Sequence, residues 1–147
     1  MTTQSAFHRP STTHIETKTW AQIGLVAAVV SIVAVLIVQA LAITVWPDIA
    51  LFKPLDSYPR SALFVLVPVM GATAIFAWLV GRREQPIRDF VTLSAVVLLV
   101  SIIPDYLLPD ANKTVLASTV TAFLHVVAGI ITVALLIRGY QRRMKQK

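Results

Sequence analysis

Four stretches of this chain are too apolar and too long for a water-soluble fold. A helix crosses a hydrocarbon core about 30 Å thick with about 20 mainly apolar residues, because each residue advances about 1.5 Å. The stretch 20–46 has no charge between Lys18 and Asp48, and 61–81 is bounded by Arg60 and Arg82. Residues 114–137 lie between Lys113 and Arg138. The stretch 87–108 is also long enough, although Arg88, Asp89 and Asp105 narrow its charge-free part to Phe90–Pro104. Composition agrees: 56% of the 147 residues are hydrophobic and 14% charged. A soluble chain carries about a quarter charged residues. Because lipid leaves no backbone group to water, each stretch must satisfy its own hydrogen bonds as a helix. Closed barrels are excluded, since the runs are continuous and lack the alternation of barrel strands. The expected fold is an all-α membrane protein, an antiparallel bundle of four transmembrane helices spanning 20–46, 61–81, 87–108 and 114–137 within a single domain, 20–138.

Orientation follows from the basic residues, which concentrate on the cytoplasmic side of membrane proteins. One side holds Arg9, Lys18, Arg82, Arg83, Arg88, Arg138, Arg142, Arg143, Lys145 and Lys147, ten of the thirteen Lys and Arg. The other holds Lys53, Arg60 and Lys113. Both termini are therefore expected to be cytoplasmic in a multi-pass plasma-membrane protein. The aromatic belt agrees: Trp20, Trp78 and Tyr140 fall on the inner side, and Trp46, Tyr58 and Tyr106 on the outer. A cleaved signal peptide is the rival reading of the first span. The apolar run from Ile23 to Val38 is at the upper limit for such a segment, and it continues past Ala40-Leu41-Ala42 to Trp46.

Residues 1–19 are polar and Thr-rich, which predicts a disordered cytoplasmic tail, with Thr17-Lys18-Thr19 placed to cap the first helix. Residues 139–147 form a basic cytoplasmic tail. Arg82, Arg83, Arg138, Arg142 and Arg143 suit contact with anionic lipid. Nucleic acid is not an expected partner, because no folded domain presents a base-reading surface. In the loop from Pro47 to Arg60, the apolar pair Leu51-Phe52 is expected to dip towards headgroups. Pro68 and Pro104 lie inside spans, where a proline kinks a helix yet is tolerated in membranes.

Polar groups are costly in lipid and carry the functional reading. Gln39, Asp105 and His125 are the strong ones. Thr114, Ser118, Thr121, His125, Gly129 and Thr132 recur at helical spacing as one stripe, and small or hydroxyl residues favour close helix approach. Comparable stripes are Gly24, Ala28, Ser31, Gln39 and Ala42 on the first span, Gly71, Ala74, Trp78 and Gly81 on the second, and Ser94, Ser101 and Asp105 on the third. Counting residues inward puts Asp105 about 5 Å, Gln39 about 10 Å and His125 about 16 Å below the outer end. Direct Asp105–His125 pairing thus requires a shifted or kinked helix, whereas Gln39 could stand between them in a relay. The structural alternative is a neutral His125 bonded to a hydroxyl or carbonyl, with Asp105 at the headgroups.

Other chemistries fail on counting. Cysteine is absent, which removes thiol and thiolate-metal chemistry. His8 and His14 belong to the tail, so paired haem ligands and multi-histidine metal sites are lacking. No phosphate-binding, dinucleotide or nucleophile-elbow motif occurs. No enzyme activity, metal or cofactor is expected.

The stretch Ala74–Arg138 resembles an uncharacterised family of small four-helix bacterial membrane proteins, the domain of unknown function numbered 6069. The resemblance rests on Ala77-Trp78-Leu79 before Arg82-Arg83, on Leu98-Leu99-Val100-Ser101 before Pro104, and on Phe123-Leu124-His125-Val126-Val127-Ala128. It implies the four-helix architecture and a bacterial membrane, and it singles out Ser101, Pro104 and His125. Three functions remain open. The first is an accessory or self-associating subunit, a homo-oligomer or partner of another membrane chain. The second is a small proton-linked transporter or channel using Asp105 and His125. The third is a protein binding a lipid or quinone beside His125, Thr121 and Gln39.

Overall fold

The computed structural model describes residues 16–107 and 109–146. They form α1 (Thr17–Val45), α2 (Tyr58–Arg82), α3 (Pro86–Leu107) and α4 (Val115–Met144), with a short 3-10 turn at Pro47–Leu51. Their 29, 25, 22 and 30 residues make each helix long and apolar enough to cross a membrane. Prolines punctuate the boundaries. Pro47 follows the end of α1, Pro59 lies in the first turn of α2, and Pro86 opens α3, where a missing N–H costs nothing. Thr114 caps α4 by accepting from the Ala117 N–H at 3.1 Å.

Several boundaries move. Thr17, Lys18 and Thr19 form the first turn of α1 rather than capping it, and Glu16 at the cap position makes no side-chain capping bond. The rest of the expected N-terminal tail, 1–15 with Arg9, His8 and His14, lies outside the described residues, as do Leu108 and Lys147. At the other end α4 runs past Ile137 to Met144, so Arg138, Arg142 and Arg143 stand on a helix. Gly139 does not break it there, because the position is packed: a β-carbon at Gly139 would stand 2.7 Å from Ile23 Cγ2.

α1 packs mainly on α4 and α2, and α3 packs on the same two helices. The buried stripe of α1 is Trp20, Gly24, Ala27, Ala28, Ser31, Val35, Gln39 and Ala42, at steps of one, three and four residues. This includes every member of the stripe read from the sequence. On α4, Ser118, Thr121 and Thr132 are buried, and His125 and Gly129 half-buried, whereas Thr114 is exposed. The expectation for α2 is wrong. Gly71, Ala74, Trp78 and Gly81 are exposed, and the buried face is Ser61, Val65, Val69, Thr73, Phe76 and Leu79. Close approach of α1 and α2 requires a small residue on one helix only, and Gly24 supplies it opposite Thr73. α3 is the least embedded helix, and Phe90 is its single buried residue.

Lipid provides no hydrophobic drive between helices, so packing and hydrogen bonds hold them together. One cluster joins all four. Phe76 stacks on Phe90 with centroids 4.4 Å apart, and both Trp20 and Tyr140 meet its ring at 5.5 and 5.6 Å. Trp20 and Tyr140 also stack, at 6.1 Å. The start of α1, the last turns of α2, the first turn of α3 and the end of α4 therefore meet at one end, where Arg82, Arg83, Arg88 and Arg138 also lie. Nearer the middle of the helices, Ser31 and Thr132 share a buried hydroxyl–hydroxyl bond of 3.0 Å between α1 and α4.

Candidate functional site

The opposite end holds the polar groups. Gln39 is 1% exposed and donates from Nε2 to the Leu55 carbonyl at 3.0 Å. That carbonyl belongs to the loop after α1. The i→i−3 bonding of the 3-10 turn continues past it, from Phe52 N–H to the Ile49 carbonyl and from Leu55 N–H to the Phe52 carbonyl. This places every third residue on one side, and Ile49, Phe52 and Leu55 are all buried. Only Leu51 of the apolar pair faces outward; Phe52 belongs to the protein interior rather than to the headgroups. Arg60 fixes the same loop, bonding the Lys53 carbonyl at 2.8 Å and the Asp56 carboxylate at 2.6 Å.

Gln39 Oε1 is buried and has no partner among the described residues. Replacing Gln39 with Met removes this unsatisfied acceptor along with one hydrogen bond, so stability is expected to change by less than about 1 kcal/mol. Replacing it with Glu turns the donor into an acceptor facing a carbonyl and should cost about 2 kcal/mol. Detergent-unfolding midpoints check both, and a Met variant as weak as the Glu variant would contradict this account.

Asp105 and His125 meet directly. His125 Nδ1 lies 3.4 Å from Asp105 Oδ2 and 2.9 Å from the Thr121 carbonyl oxygen. The depth count placed them apart because it compared backbone positions. A helical side chain leans towards its own N-terminus, so Asp105 on α3 leans away from the α3–α4 connection while His125 on α4 leans towards it. The imidazole leans back to the carbonyl of Thr121 and closes the gap without any relay. Gln39, held at Leu55, forms no hydrogen bond with either of them.

Three contacts that the sequence reading missed tie α3 to α4, and to the loop between them, beside this pair. Ser118 Oγ donates to the Asp105 carbonyl at 2.7 Å, Tyr106 and Thr119 share a bond of 3.1 Å, and Lys113 Nζ donates to the Tyr106 carbonyl at 3.1 Å. The clustering of Tyr106, Lys113, Ser118 and Thr119 around one short connection was their only trace in the sequence. The other expected residues stay local. Thr121 Oγ1 bonds the Ala117 carbonyl at 3.0 Å, and Ser101 Oγ the Leu98 carbonyl at 2.8 Å. Pro68 and Pro104 sit on exposed sides of helices that continue through them.

At the basic end, the Arg82 guanidinium lies 5.4 Å from the Trp78 ring centroid, and Arg83 Nε lies 3.9 Å from Asp89 Oδ2. Arg138, Arg142 and Arg143 are exposed. Among the described residues no group of three His, Asp or Glu converges as metal ligands would.

No curated protein and no solved structure matches the chain. A family model does, from residue 12 to 142. It takes in α1 as well as the three helices on which the resemblance rested. The chain belongs to the family of unknown function DUF6069.

Proposed function

We propose that this chain is a non-enzymatic multi-pass protein of the plasma membrane, an antiparallel four-helix bundle with both termini in the cytoplasm. It acts by associating, through α3, with a second copy of itself. The observation that carries this reading is the poor burial of α3, which gives the protein only Phe90 while Val96, Val97, Leu99, Val100 and Ile103 stay half or more exposed. A second copy related by a two-fold axis would set the same face against itself, the commonest form of oligomer. The asymmetry of basic residues supports the orientation, and Arg82, Arg83, Arg138, Arg142 and Arg143 would hold anionic lipid on the cytoplasmic side.

The cysteine-free sequence makes the test clean. Val96→Cys, Val97→Cys and Val100→Cys are expected to form disulfide-linked dimers on mild oxidation in native membranes, with one position dominant near the axis. Val33→Cys, equally exposed on α1, should stay monomeric. Equal cross-linking at Val33 and along α3, or none on α3, would remove the proposal. Cross-linking of α3 to a different chain would replace the second copy by a partner subunit.

A further inference from the structure

We propose that the notch between α3 and α4 at His125 binds the hydroxyl group of a neutral, apolar-bodied lipid, with His125 Nε2 as the hydrogen-bond acceptor. This goes beyond the association reading and uses a different face of the protein. A carbonyl oxygen only accepts, so the 2.9 Å contact with Thr121 places the proton of the neutral ring on Nδ1. The Asp105 carboxylate, 3.4 Å from the same nitrogen, favours that tautomer electrostatically. Nε2 is left with its lone pair directed away from both.

That nitrogen makes no hydrogen bond among the described residues. It is not sealed in either, because among the described residues the buried, unpartnered side-chain atoms are Gln39 Oε1 and Asp105 Oδ2. The imidazole is 37% exposed, and the Asp105 side chain beside it only 10%. The notch is bounded along the helices. On the loop side, Ser118 holds the Asp105 carbonyl and Tyr106 holds Thr119. On the other side α3 closes on α4 again, where a β-carbon on Gly129 would lie 3.6 Å from both methyls of Leu98. Between these closures the ring stays partly exposed.

Two features select the ligand. His125 lies eleven residues beyond Thr114, about 16 Å along α4. Its backward lean leaves the ring a few ångströms nearer the surface at most. That is still within hydrocarbon, where a charged headgroup is strongly disfavoured. In addition, the open atom here, Nε2, is an acceptor in this tautomer, so the ligand must bring a donor. A hydroxyl on an apolar body meets both conditions. It could belong to a phenol of the hydroquinone class or to a long-chain prenyl alcohol.

Imidazole ¹⁵N NMR of the full chain in lipid nanodiscs, in mildly alkaline buffer, tests this. The His125 signals are assigned by their loss in His125→Gln. The expected result is an Nδ1–H tautomer and a saturable change at Nε2 on adding 2-decylhydroquinone or farnesol. Whichever probe acts identifies the source of the hydroxyl. Decylbenzoquinone, which lacks the donor, should bind about tenfold more weakly or worse, the scale of one hydrogen bond. Asp105→Asn should weaken the hydroxyl probe about tenfold and mix the tautomers. Should that variant fail to fold, the wild-type tautomer and the probe comparison still decide. An Nε2–H tautomer, no response to either hydroxyl probe, or equal binding of hydroquinone and quinone would overturn the proposal.

Discussion

Phe76→Ala is expected to lower stability by about 3 kcal/mol, the largest loss from any single truncation in this chain. Phe76 is fully buried, and its ring touches the rings of Trp20, Phe90 and Tyr140. Each of those rings belongs to a different helix, so one deletion loosens all four. In lipid the transfer part of the cost is small, because tails are as apolar as the core. The cavity and the lost dispersion contacts remain, which places the expected cost at the lower end of the range for buried aromatics. α3 should suffer most, since Phe90 is its one buried residue and Phe76 is the partner that covers it at 4.4 Å. Unfolding by SDS titrated into neutral-detergent micelles, followed by helicity, gives the free-energy change. A loss below about 1 kcal/mol would mean that the cluster does not organise the four helices.

Gly24→Ala is the second large effect, and it runs in the opposite sense, by overfilling. A β-carbon there would lie 2.7 Å from Thr73 Oγ1 and 2.8 Å from its Cγ2. Thr73 cannot swing aside cheaply. It is branched at Cβ, which stiffens its first torsion, and its hydroxyl donates to the Val69 carbonyl at 2.8 Å. Either α1 and α2 separate or a rotamer is strained, and overpacking of this kind costs about 1–3 kcal/mol. The clash has one named partner, so it should be relieved in a defined way. Thr73→Ala removes both close atoms, leaving only the position of Cβ, at 3.1 Å. The double variant Gly24→Ala, Thr73→Ala should recover at least about 1 kcal/mol relative to Gly24→Ala, a coupling typical of residues in contact. Additive effects of the two substitutions would show that α1 and α2 do not meet at this point.

Phe76 and Thr73 were both overlooked in the sequence, for the same reason. The search for a packed face on the second span favoured small residues and selected Gly71, Ala74, Trp78 and Gly81, every one of which is exposed. Helices approach closely when one side is small, and α1 already provides that side. On α1, where the glycine lies, the same rule found Gly24, Ala28, Ser31, Gln39 and Ala42, all of them buried. A rule that concerns a pair of surfaces works on one sequence segment only when that segment carries the small partner.

The Asp105–His125 pair shows the same division. Asp105 and His125 stood out in the sequence because ionisable side chains in apolar runs are expensive wherever they point. Their contact did not stand out, because it depends on the stagger of two helices and on opposite leans of their side chains. Gln39 was equally conspicuous, yet its partner proved to be a loop carbonyl, which no side-chain pattern advertises.

What the sequence determined by itself, then, was the number and rough extent of the helices and which residues would be costly in the spans. These follow from local physics. Lipid forces each segment to close its own hydrogen bonds, and proline or charge stops a run at the position where it occurs. The tertiary structure alone decided which face of each helix is inside, that α3 stays at the margin, and that Asp105 meets His125. Those outcomes depend on the rotation and axial offset of one helix against another. In a membrane the solvent is as apolar as the core, so burial leaves only a weak periodic mark on the sequence, and shape and hydrogen bonding between particular side chains settle the rest.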